Sequence, residues 1–291
     1  MESVRGQGCV APIEKTAIIE TTAVRRLILH HSRRANVGHI GSCLCVVEIL
    51  AALYGDILRS SPNRQRDRDR FILSKGHAAL ALYATLAAKG WLEESSLDTF
   101  CGDNSLYGVH PEAAVPGVDF STGSLGHGLS IAAGAALAAR LQGSDRRVFC
   151  LISDAECNAG SVWEAVMFAA HYRLGNLRAI LDCNGQQALG LTHEVIEIPN
   201  MAERWRAFGW EVSEVDGHSV PALSERLSRP ESPCGRPHLT IAQTTFGKGV
   251  GYMERGEPLS RPQLPVHKIN WHYLPMSDLE YELAIRGLEG Q

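Results

Sequence analysis

An apolar run that should form a buried strand ends on carboxylates: in "CLISDAECNAGSVWEA", residues 150–165, it stops at Asp154 and Glu156, and a helical pattern begins a few residues on. A second apolar run ends at Asn184, thirty residues after Asp154. That spacing is one strand–helix–strand unit, and a right-handed crossover sets both strand ends on the same edge of a parallel sheet. A carboxylate and an amide oxygen meeting there, completed by a backbone carbonyl, water and two phosphate oxygens, suit Mg²⁺ or Ca²⁺. The protein would supply few negative charges, so the ligand must bring the rest, which points to a diphosphate held through its metal. Both residues also have ordinary uses, since Asp often caps a helix and Asn-Gly often makes a turn.

The elements around this edge follow from hydrophobic periodicity. Helical spacing covers residues 13–31 (Ile18, Ile19, Thr22, Ala23, Arg26, Leu27) and 44–58, with the glycine-containing loop NVGHIGS between them. "RFILSKGHAALALYATLAAKGW" reads as a short strand, a turn at Ser74-Lys75-Gly76 and a helix stopping at Gly90. Residues 101–128 read mostly as loop before an Ala- and Gly-rich helix. Strands at 148–152, 178–181, near 210–215 and 238–244, with a helix over 161–174, imply an α/β fold with a doubly wound, mainly parallel sheet and helices on both faces. In such sheets ligands gather outside the carboxyl ends of the strands. We expect a tail at 1–12, one binding domain over 13–250 and an extended arm with a short helix over 251–291.

With 291 residues, 45% hydrophobic and 21% charged, the chain can bury a substantial core. Its formal net charge of −4 is interspersed and offers no basic stripe, which argues against a nucleic-acid surface. The first dozen residues lack the apolar core of a signal peptide and no run approaches 18 uninterrupted apolar residues, so a cytoplasmic protein outside the membrane is expected. The eight cysteines are scattered; Cys43 and Cys45 have no second Cys/His pair at zinc-finger spacing, and reduced, buried thiols are expected.

The segment "SDAECNAGSVWEAVMFAAHYRLGNLRAILDCNGQQALG" resembles the thiamine-diphosphate signature, which opens with Gly-Asp-Gly and closes on an Asn. More closely it is similar to transketolases, through Asp154, Glu156, Gly160, Trp163, Glu164, Ala165, Asn176, Leu177 and Asn184. "NVGHIGS", "DRFILSKGHAALALYATL", "GVHPE" and "STGSLGHGLS" resemble further transketolase segments in the same order. The resemblance implies a thiamine-diphosphate-binding fold in which Asp154, Asn184 and the backbone carbonyl of Gln186 hold Mg²⁺ (or Ca²⁺). His77 and His272 would approach the diphosphate, and Gly123, Ser124, Leu125, Ala155 and Glu156 would lie along the cofactor. His39 and His110 would face the donor sugar and assist proton transfers. Glu156 and Glu164 would serve packing and subunit contacts rather than acid catalysis. His30, His31, His171, His193, His218 and His238 fall outside these positions and are structural or surface by default.

Two departures stand out. Gly-Asp-Gly is Ser153-Asp154-Ala155 here, adding a methyl where backbone N–H would approach phosphate and a hydroxyl that could donate instead. The family's Trp-His-Gly is Trp271-His272-Tyr273, after an apparent insertion. The chain ends where the first transketolase domain would end, so it resembles the N-terminal subunit of the split transketolases. A separate C-terminal subunit would supply the pyrimidine-binding domain, most simply as an α₂β₂ heterotetramer. The activity implied is transfer of a two-carbon ketol unit from a ketose phosphate to an aldose. A specialised subunit serving a non-standard acceptor, and a non-catalytic scaffold, remain open as alternatives.

Overall fold

The computed structural model describes residues 18–62, 66–255 and 270–290. Five parallel strands organise it: β1 (Arg70–Leu73), β2 (Val148–Ser153), β3 (Leu177–Cys183), β4 (Glu211–Asp216) and β5 (His238–Gln243), in the spatial order β1-β2-β3-β5-β4. All run the same way, so their carboxyl ends share one edge. β2 is buried at every position, as a strand covered on both faces must be. Its alternate side chains divide between two cores. Phe149 and Leu151 join the cluster containing Val24, Leu50 and Leu82, whereas Val148, Cys150 and Ile152 join Leu129, Val162 and Trp205.

The first face carries α1 (Thr21–Ala35), α2 (Ile40–Leu44), α3 (Val47–Ala52) with a π-turn at Leu53–Ile57, and α4 (Ala79–Ala88). The second carries α5 (Gly128–Leu141), α6 (Gly160–His171) and α7 (Met201–Ala207). α8 (Val220–Leu227) returns to the first face through Leu223 and Leu227. The sheet, its direction and its two covered faces therefore match the sequence expectation.

Several local expectations change. The expected 13–31 helix begins at Thr21, where the Glu20 carboxylate accepts the N–H groups of Thr22 and Ala23, and ends at Ala35; residues 13–17 lie outside the described residues. Its buried stripe is Val24, Ile28, Leu29 and His31, while Ile18 is exposed ahead of the helix. The expected 44–58 helix is divided, and the loop before it closes at His39 because Ile40 already opens α2. Residues 40–57 are apolar and long enough to cross a membrane, yet 89% of that stretch is buried inside the fold. Helices α7 and α8 were not foreseen.

After β5 come α9 (Gly251–Arg255), α10 (Asn270–Tyr273) and α11 (Asp278–Glu289). Part of the expected arm, 256–269, lies outside the described residues. The described remainder returns to the first face: Trp271, Met276, Ala284 and Leu288 are buried there, and Arg33 of α1 pairs with Asp278. Seven cysteines are described, all free. Cys43, Cys45, Cys150 and Cys157 are buried as expected, but Cys101 and Cys234 are exposed.

Candidate active site

The loop between α1 and α2 ends on His39, held in the left-handed region at φ 60°. Its N–H donates to the carbonyl of His272 at 2.8 Å, which ties α2 to α10. His77 enters from the 3₁₀ turn Gly76–Ala78 at the end of β1. The three imidazoles form a triangle, each pair of ring centroids 5.3 Å apart. Two glycines permit this approach: a Cβ on Gly38 would overlap the Tyr273 carbonyl, and one on Gly41 would overlap the Phe246 ring.

Burial sets the electrostatics of the triangle. It lowers the pKa of His39 to about 4, helped by His110 and Lys75, and that of His272 to about 3, helped by His39 and Lys75. His77 is pushed well below the ordinary histidine value by burial, with Lys75 and His272 adding to it. All three are neutral at pH 7, and buried Nδ1 of His39 has no hydrogen-bond partner among the described residues. His110 lies on the next wall. A Cβ on Gly123 would sit 3.2 Å from the His110 ring, and one on Gly76 would sit 3.0 Å from the Gly123 backbone. Gly123 and Ser124 border a cavity of about 600 Å³ with Thr122, His127 and Ile131, and Leu125 beside them is exposed.

At the strand ends, Asp154 and Asn184 stand on one sheet edge, and Asp154 reaches the residue that follows Asn184. Asp154 Oδ2 accepts the Gly185 N–H and Oδ1 the Ala155 N–H, both at 2.8 Å. Gly185 adopts φ 71°, which turns the chain so that the Gln186 N–H donates to Asn184 Oδ1 at 2.9 Å. Burial, reinforced by the nearby Asp182 charge, raises the Asp154 pKa to about 7. A cation among these oxygens would relieve that repulsion.

Beneath them lies a pair that sequence reasoning missed. Lys75 and Asp182 form an ion pair whose side chains are 1% and 0% exposed. Burial alone would raise the Asp182 pKa, but the Lys75 ammonium overrides it and holds the carboxyl below its usual range. The same carboxylate accepts the Asn184 Nδ2 at 2.8 Å and the Cys45 thiol at 3.2 Å. An aspartate inside the buried run "LRAILDC" was the available signal, because a buried charge needs a partner.

Glu156, expected both along the cofactor and in packing, is taken up by packing. Its buried carboxylate accepts the N–H of Gly126 at 2.7 Å and of Ser153 at 3.3 Å, and the Ser74 hydroxyl. The Ser153 hydroxyl accepts the Glu156 N–H at 3.1 Å, bracing the turn after β2. Ala155 opens the 3₁₀ turn Ala155–Asn158 with its N–H on Asp154. Glu164 is exposed on α6. His218 is structural: it meets the buried Glu48 at 3.1 Å and accepts the Thr245 N–H at 2.8 Å.

The family described as transketolase, thiamine diphosphate binding domain, matches residues 15–280. An apulose-4-phosphate transketolase subunit of Phocaeicola vulgatus is 38% identical over 274 residues, covering 94% of this chain and 93% of its own length. The 6-deoxy-6-sulfo-D-fructose transketolase subunit SqwG of a Clostridium species is 36% identical over 238 residues, covering 81% of this chain and 86% of its own length. Among solved structures, a transketolase variant from Pichia stipitis superposes with a TM-score of 0.79 at 27% identity, covering 91% of this chain and 39% of that one. Transketolase from Campylobacter jejuni gives 0.79 at 25% identity, covering 94% and 42%. The chain thus spans about two fifths of the length of these solved transketolases.

Proposed function

The chain belongs to the transketolase thiamine-diphosphate-binding family, and from that membership we propose that it is the cofactor-holding subunit of a two-chain transketolase. The observation that carries this reading is the convergence, on one sheet edge, of the Asp154–Asn184 oxygens with three neutral imidazoles. The residues fit the cofactor. His39 Nδ1 is buried without a partner among the described residues, and a Cβ on Gly76 would press to 3.0 Å against the Gly123 backbone.

In this reading residues 13–250 form the diphosphate- and metal-binding unit. The Asp154 carboxylate, the Asn184 amide oxygen and the Gln186 carbonyl hold Mg²⁺ or Ca²⁺, an all-oxygen set suited to either. His77 and His272 donate hydrogen bonds to diphosphate oxygens, and the backbone at Gly123–Leu125 borders the cofactor. Thiamine diphosphate supplies a thiazolium carbon able to add to a ketose carbonyl and retain the two-carbon fragment until an aldehyde accepts it. His39 and His110 hydrogen-bond the donor's hydroxyls. Their imidazole nitrogens can take the C3 hydroxyl proton released when the donor's C2–C3 bond breaks and return it to the acceptor aldehyde oxygen.

The pyrimidine side of the cofactor would come from a separate C-terminal subunit, in an α₂β₂ assembly. Relatives matching this chain along most of their length are named as subunits, which supports a separate partner. Leu125, Leu189, Tyr273 and Leu274 are exposed apolar side chains available to such a partner. The substrates would be sugar phosphates. To test the function, the chain is co-purified with its partner and supplied with thiamine diphosphate, Mg²⁺, xylulose 5-phosphate and ribose 5-phosphate. Sedoheptulose 7-phosphate detected by mass spectrometry is the expected outcome. If no ketose in a donor panel is consumed while the cofactor is bound, the transferase assignment fails.

A further inference from the structure

On the outer side of the first helical layer, two adjacent histidines of α1 face an aspartate of the 3₁₀ turn Glu94–Thr99. The His30 and His31 rings stand edge to face with centroids 4.9 Å apart. Ligating atoms of His30, His31 and Asp98 all lie within 4.8 Å of one another. The His31 side chain is 2% exposed, and its Nδ1 has no hydrogen-bond partner among the described residues. Asp98 Oδ1 stands 3.9 Å from it, beyond hydrogen-bond range. A buried imidazole nitrogen left in this way calls for an unseen partner.

The surrounding elements are already fixed. Arg34 Nη2 donates to the carbonyls of Leu97 and Phe100 at 3.1 and 3.2 Å, locking the turn onto α1. Those bonds direct the nearest cationic group to backbone oxygens, and Arg33 pairs with Asp278. His30 Nδ1 lies 3.5 Å from the Tyr281 hydroxyl of α11. Burial lowers the His31 pKa to about 4, which keeps its ring in the neutral, ligating form.

We propose that His30, His31 and Asp98 form a site for one divalent transition cation of the Zn²⁺ class, clamping α1 to the Glu94–Thr99 turn. Two imidazoles and one carboxylate form a borderline donor set that favours Zn²⁺ over Mg²⁺ and Ca²⁺, so this site differs in selectivity from the strand ends. Metal bonds of about 2.0–2.2 Å require the ligand atoms to close in by roughly an ångström. His30 and Asp98 can supply that movement because both are exposed. A water completes the tetrahedron.

The test uses the full, untagged, metal-free chain, titrated with Zn²⁺ by calorimetry and with Co²⁺ by visible absorption. Beside it run His30→Ala, Asp98→Asn, the exposed-histidine control His171→Ala, and Asp154→Ala, with folding checked by circular dichroism. One Zn²⁺ per chain, a raised Tm and tetrahedral Co²⁺ bands are expected, and excess Mg²⁺ should not displace the ion. His30→Ala and Asp98→Asn should each weaken binding by more than about tenfold, while His171→Ala and Asp154→Ala leave it intact. No stoichiometric binding, or binding that persists in His30→Ala and Asp98→Asn, overturns the proposal.

Discussion

Lys75 and Asp182 form an ion pair closed off from water beneath the ends of β1 and β3, and Asp182 also accepts the amide of Asn184. One buried carboxylate therefore links a strand-end lysine to a proposed metal ligand. The buried charge is tolerable because the lysine, the amide and the neighbouring Cys45 thiol all donate to it.

Removing one member should be costly. Lys75→Met leaves Asp182 unpaired and is expected to destabilise the chain by about 3–5 kcal/mol in urea unfolding. Lys75→Met with Asp182→Leu should lose less than the sum of the two single variants, since both charges then leave together. Additive losses would mean that the two groups do not interact.

Gly38→Ala forces a methyl into the Tyr273 carbonyl. Displacement of α10 should lower stability by about 1–3 kcal/mol and weaken thiamine-diphosphate binding through His272. Thermal unfolding and cofactor titration measure the two effects. Unchanged values for both would remove the tight approach of α2 and α10.

The site imidazoles should set an acid limit. His39 and His272 titrate near 4 and 3 in the folded chain, against an ordinary value of 6.5. Between these values the unfolded chain binds more protons, so stability rises with pH through this window and their contribution is flat above it. In ¹H–¹³C NMR titrations, at least two histidines should keep neutral ring shifts at pH 5.5. Ordinary titration of all resolved histidines near 6.5 would contradict the burial argument.

His110→Ala should slow ketose cleavage by about a hundredfold or more while changing cofactor affinity little. His110 is exposed beside Gly123 rather than inside the imidazole triangle. Single-turnover kinetics and cofactor titration separate the two quantities, and an equal loss in both would move His110 out of the sugar site.

Much of this arrangement was legible in the chain because periodicity and spacing are local. Val148–Ser153 reads as a doubly buried strand, and the interval from Asp154 to Asn184 sets the two on one sheet edge. The convergence of His39, His77 and His272 could not be read from periodicity, since it depends on α10 folding back over Gly38. The stripe of α1 was misplaced because Arg25 and Ser32 are buried by polar partners that only the fold supplies. Glu156 illustrates the same limit, since its three donors come from separate segments.

The most direct measurement is calorimetric titration of thiamine diphosphate into the two-chain assembly, with and without Mg²⁺, for the wild type and Asp154→Ala. The wild type should bind tightly only with Mg²⁺, and Asp154→Ala should lose that metal-dependent affinity while its circular dichroism stays unchanged. Equal affinity in the two proteins, or wild-type binding indifferent to Mg²⁺, would contradict a diphosphate held through a cation at the ends of β2 and β3.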